Sequence, residues 1–192
     1  MIIKFLLVLI LTFSFQSWTK ADDIRDFEIE GISVGDSLLS YLNKNKIKKI
    51  KSPNKKLKIV RTRTSDNLEV YDYLKLWWFD NDKDYKIVGI AGELKFDDNL
   101  KNCKKKQQEI ADNIKRTLTG FTIYKSVNSY NDDKSGKSKV YHHTLYFDNK
   151  DNINIQCYKF SKNFKKKNDF IDHLKVMIVT NEMDVHYSEA YK

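Results

Sequence analysis

The chain has 192 residues with 35 Lys and Arg against 26 Asp and Glu, a formal charge of +9, which is the length of one ordinary domain with a real core. A basic balance invites a nucleic-acid reading, because cations on phosphates supply most non-specific affinity. Only four of the 35 basic residues are arginine (Arg25, Arg61, Arg63 and Arg116), the residue suited to bidentate phosphate contacts, so nucleic acid is excluded as the expected partner.

Residues 1–21 have the build of a secretory signal: Lys4, an apolar run over 5–15, then a polar stretch ending Thr19-Lys20-Ala21. A helix crossing a bilayer needs roughly 20 apolar residues, so this shorter run suits a translocase better than a permanent anchor. Cleavage after Ala21 leaves a single domain, 22–192, with a formal charge of +7. No cysteine lies near the junction to carry a lipid, so no stable membrane anchor is expected after cleavage. The expected location is the periplasm or the exterior.

Asp36 can cap a short helix over 36–42, with Leu38, Leu39 and Leu42 on its inner side. A weak helical turn over 44–50 and a basic loop over 48–58, containing Ser52-Pro53-Asn54, follow. Three strand-like runs occupy 57–64, 68–79 and 85–96. A helix over 99–120 carries Leu100, Cys103, Ile110, Ala111, Ile114 and Leu118 on one stripe, with Asn99 or Asp98 as cap and Gly120 as stop. Four more strands are expected at 121–130, 140–147, 153–160 and 170–180, and a short helix at 182–191. Strands grouped around one long helix predict an α+β domain: an antiparallel sheet of about six or seven strands, the helix on one face and short helices near both ends.

Cys103 and Cys157 are the only cysteines, and an isolated pair in an oxidising compartment is more often a bridge than two free thiols. Cys103 falls on the apolar stripe of the helix, and alternation puts Cys157 on the apolar face of its strand. A helix on that face brings the sulfurs together. Two buried free thiols are the other possibility.

The aromatic strand is the candidate binding surface. Tyr71, Tyr73, Trp77 and Phe79 alternate onto one side with Lys75 among them, and pairing through 80–84 places Gly89 and Ala91 beside them. A second helix, the amino-terminal segment or a dimer partner can cover this strip; left open, it is a site for a ligand or partner.

Three apparent motifs fail. Ser135-Gly136-Lys137-Ser138 has the ending of a phosphate loop, but Asn131 stands where the first glycine is needed and a strand follows, so it reads as a hairpin turn. Asp80-Asn81-Asp82-Lys83-Asp84 begins like a calcium loop, yet Tyr85 and Ala91 replace the required glycine and bidentate acid. His142 and His143 are strand neighbours that point to opposite faces, with His143 on the face of Cys157. No cofactor or metal is therefore expected. An acid/base or metal site at His142, His173 and Asp172 remains as the enzymatic alternative.

The segments 26–39, Asp133-Lys134-Ser135-Gly136-Lys137-Ser138 and Asp169-Phe170-Ile171-Asp172-His173-Leu174 resemble a group of uncharacterised exported proteins from AT-rich marine bacteria, across most of the mature chain. This resemblance implies export and no assigned activity. The run from Ile32 to Leu39 is also similar to the helix start of small envelope-assembly lipoproteins of the BamE type, although this chain is longer and lacks their lipidated cysteine. The expectation is a non-catalytic binding or assembly module for a protein or anionic envelope polymer, of unassigned oligomeric state, with a periplasmic hydrolase as the alternative.

Overall fold

The computed structural model describes residues 23–50 and 59–190. The expected signal, most of the basic loop and Tyr191 lie outside these residues. Strands β1 (Ile59–Thr64), β2 (Tyr73–Phe79) and β3 (Ile87–Lys95) form one meander. After helix α2 (Leu100–Thr117) come β4 (Phe121–Ser129), β5 (Lys139–Phe147), β6 (Asn152–Lys159) and β7 (His173–Val179) as a second. Antiparallel pairing of β3 with β7 joins them into one seven-stranded sheet, ordered β1-β2-β3-β7-β6-β5-β4. Short helices α1 (Lys44–Ile47), α3 (Lys162–Asn168) and α4 (Asn181–Ala190) complete the elements. The expected α+β architecture, one long helix on an antiparallel sheet, is found.

Alternation sorts the strands onto two faces. Leu76, Trp78, Ile90, Val176, Ile178 and Ile155 are buried in one core, which residues of α2 and of the amino-terminal segment, such as Ile24, Val34 and Leu38, also join. Helix α2 reaches this face through Cys103, Ala111 and Ile114, and Gly120, at φ +69°, lies just beyond its end. Cys103 is bonded to Cys157 of β6, with their Cα atoms 6.0 Å apart. Gln107 sits on the same stripe, 2% exposed, because its amide donates to the carbonyls of Tyr141 at 2.8 Å and Ile155 at 2.6 Å.

The opposite face is divided. Helix α4 covers one end, where Met183 packs with Trp77, Val88, Ala91 and Val179. Gly89 leaves the room: a Cβ there would sit 2.4 Å from the Met183 sulfur. The other end is polar and open.

Three local expectations need correction. Residues 36–42 form not an Asp36-capped helix but a 3-10 turn, Leu38–Ser40, capped by Ser37, and Leu39 faces solvent. The Asp36 carboxylate instead accepts from the Ser33 amide at 3.0 Å and the Tyr41 hydroxyl at 2.7 Å. Strand β2 starts at Tyr73 rather than 68, because the amides of Glu69, Val70 and Tyr71 donate to the Glu30 carboxylate at 2.8–2.9 Å and so leave the ladder. Helix α3 occupies a segment read as a connection between strands; Ser161 caps it, its hydroxyl accepting from the Phe164 amide.

Candidate functional site

The open end of the sheet is a polar ladder fixed by register. Arg63 pairs with Lys75, Tyr73 with Glu93, Glu93 with Lys175, and Lys95 with His173, which in turn faces Tyr158. All these side chains lie on the face away from α2. The segment after α3 turns at Asp169 (φ +53°) and adds Phe170 and Ile171 as a rim. The result is a cleft of about 530 Å³ with an aromatic wall.

Cations outnumber acids here. Arg63, Lys75, Lys95 and Lys175 line the cleft against Glu93 and Asp169. Lys75 donates to Glu93, and the Arg63 guanidinium lies 3.7 Å from the same carboxylate and 3.6 Å from the Tyr73 ring centroid. Burial works to raise the Glu93 carboxyl, but the hydrogen bond and charge of Lys75, helped by His173 and Lys175, outweigh it and hold it below the ordinary value. Burial pushes Lys75 and Lys175 down; Glu93 opposes this for both, while neighbouring cations add to it. The cleft thus holds more positive charge than its own carboxylates neutralise.

The wall is a set of touching rings. Tyr158 stacks on His173 with centroids 4.5 Å apart, and Phe160 lies 5.0 Å from Phe170 and 5.9 Å from Phe164 of α3. Tyr130 meets Phe160, Phe164 and Phe170 edge-on. Burial, the largest cause, with the Glu93 charge raises the Tyr158 phenol well above its ordinary value, so it remains a hydroxyl and donates to Gln156 at 2.8 Å.

A second groove of about 490 Å³ lies on the other side of α3, and Asn168 borders both. Lys134, Lys137, Lys162 and Lys167 line it. Its floor is built by Asp133, whose carboxylate accepts from the amides and hydroxyls of Ser135 and Ser138 and from the Ser161 hydroxyl at 3.1 Å. The hydroxyls of Ser135 and Ser138, the strongest influence, hold the Asp133 carboxyl far below the ordinary range. The Asp133–Ser138 run is therefore an anchor for a hairpin tip, as the absence of a glycine cradle predicts.

The aromatic strand residues separate. Tyr73 and Lys75 line the cleft, whereas Trp77 is 5% exposed beneath α4, and Phe79 meets His186 at 5.2 Å. Tyr71 lies on the opposite face, its ring filling the space above Gly92; burial and the Glu30 charge push its phenol up to about 12.

His142, His173 and Asp172 do not meet. Asp172 is 2% exposed and accepts from the Phe160 amide at 2.8 Å and from Lys159 at 2.6 Å, while Lys159 also bridges to Asp98. His173 uses Nδ1 on the Ile171 carbonyl, and His142 uses Nδ1 on Gln156 at 3.1 Å. The two histidines stand on strands separated by β6, roughly 10 Å apart across the sheet. Among the described residues no cluster of three His, Cys, Asp or Glu is placed to hold a metal.

Arg63, Glu93, Lys95, Tyr158, Phe170 and Lys175 join the cleft without forming any local sequence motif. Each sits at an alternating position of a strand or at its flank, so each is legible singly; their convergence depends on the β3·β7 pairing, which runs from Gly89 with Val179 to Lys95 with His173 and so joins distant parts of the chain. Compared with models of protein families, with curated proteins and with solved structures, the chain matches none. Among the described residues no helix is long and apolar enough to cross a membrane. The disulfide fits an oxidising compartment.

Proposed function

We propose that this chain is an exported, non-catalytic binding module that captures an anionic envelope component in the cleft between β1, β7 and the segment after α3. One observation carries this reading: Lys75 and Lys175 are half-buried beside Arg63 with Glu93 as the acid shared among them. An uncompensated ammonium in a partly dry site is costly, and an arriving anion relieves that cost. The aromatic wall adds apolar contact that a bare ion does not need. The acid/base alternative requires His142, His173 and Asp172 to converge, and each has another partner.

A photo-crosslinking residue at position 170, on the exposed rim, tests the proposal in cells. It is expected to capture envelope material, and Lys75→Gln with Lys175→Gln is expected to reduce capture about tenfold or more, since hydrogen bonds to charged groups contribute about 1.5–3 kcal/mol each. Trp77→Ala opens the covered core instead, so it is expected to lower stability without abolishing capture by the folded protein. Absence of any crosslinked product refutes the reading.

A further inference from the structure

Resting on that reading, we infer that the occupant is a linear acidic polysaccharide that runs from the cleft over Asn168 into the lysine groove beyond α3, one carboxylated sugar ring seated in the cleft and later residues in the groove. Three features of the surface converge on this occupant.

The two depressions adjoin at one residue and are alike in charge. They share Asn168, and each places four cations against two acids. In the groove Asp133 keeps its charge, but its oxygens are occupied by serine donors and it faces inward, 7% exposed, so they leave the lysine ammonium groups available to a ligand. A single small anion satisfies one depression only; repeating charge along a chain satisfies both.

The rings continue beneath the ridge. Phe170 lines the cleft and Phe164 the groove, 5.4 Å apart, with Phe160, 3% exposed, buried behind them. Aromatic faces carry negative charge density and attract polarised C–H groups, which a pyranose presents on its flat sides. Inorganic polyanions offer no such surface.

The cations are mainly lysines. Across both depressions Arg63 stands as the one guanidinium among seven lysines. Arginine is the residue matched to bidentate phosphate recognition, whereas dispersed ammonium groups suit single carboxylates. This favours a carboxylated glycan over a nucleic acid, although both are linear, charged and ring-bearing.

The test uses purified protein and polygalacturonate oligomers in isothermal titration, the trimer against the decamer, with an oligothymidylate of equal charge as comparator. The decamer is expected to bind about tenfold tighter than the trimer, because the second subsite acts at high effective concentration. Lys134→Gln, Lys162→Gln and Lys167→Gln combined are expected to bring the decamer to the affinity of the trimer and leave the trimer unchanged. Lys75→Gln with Lys175→Gln is expected to weaken both. Equal affinity for trimer and decamer overturns the two-subsite path while leaving a cleft ligand standing. Tighter binding of the oligothymidylate overturns the glycan assignment. Failure of either oligomer to bind, with crosslinked envelope material still recovered through position 170, also overturns it; failure of both experiments removes the binding module itself.

Discussion

His173 shows how one side chain ties the cleft to pH. Burial, opposed by the Ile171 carbonyl and Glu93 and reinforced by Lys175 and Lys75, holds its imidazole below the ordinary value of 6.5. As pH falls, the unfolded chain therefore takes up this proton before the folded one does, so the contribution is full above the ordinary histidine range and is lost as pH drops through it toward the folded value. Burial moves His142 and His143 in the same direction, and the Nδ1 of His143 is buried without a partner. His173→Phe keeps the stack on Tyr158 and removes the titration. Its urea midpoint is expected to fall less than that of the parent between about pH 7.5 and pH 5.5; an identical fall in both proteins would show that His173 does not contribute. The depressed Glu93 and Asp133 carboxyls act lower, in the ordinary carboxylate range, and stay out of that window.

Helix α2 and its strand partners show which elements the pattern reveals and which it hides. The 3.6-residue stripe marks the helix to within a few residues, and the strands announce themselves by alternation, because both periodicities come from burying one side of an element. Gln107 is a polar residue on this apolar stripe yet is buried, since its amide supplies donors to two β-sheet carbonyls. Gln107→Ala is expected to cost about 1–3 kcal/mol in urea unfolding, and Gln107→Leu to recover little of it, because volume returns but the donors do not. Parent stability in Gln107→Leu would contradict this account. The hidden elements lack local patterning. Helix α3 is a run of lysines around Phe164 whose reason for being helical is tertiary: Lys165 reaches Asp98 and Asp172, and Phe164 joins the ring cluster. Residues 68–72 have strand composition, but the amides of Glu69, Val70 and Tyr71 go to Glu30, a carboxylate 39 or more positions away. Half of the aromatic strip lines the candidate cleft for the same reason: alternation places Tyr73 and Lys75 with Trp77, but only the fold says that α4 closes over Trp77.

At the scale of the molecule, two meanders meet in the middle of one sheet, and the helix between them is fastened to the second by Cys103–Cys157. The bond closes a loop with a sequence separation of 54. Constraining such a loop in the unfolded chain is worth about 4 kcal/mol. Reduction, or Cys103→Ala with Cys157→Ala, is accordingly expected to lower the thermal midpoint by roughly 10 °C. A midpoint unmoved by reductant, with thiol labelling proving that the bond was opened, would contradict this.

The same bond encloses β4, β5 and the exposed hairpin tip around Gly136 within one covalent ring. A protease that nicks that tip, the kind of site where cleavage concentrates, breaks the main chain without separating the pieces. Each fragment keeps one half of the bridge, with β3 on one side and β6 and β7 on the other. The cut protein therefore stays a single particle until its sulfurs are reduced, and the ladder that lines the cleft outlives the wound.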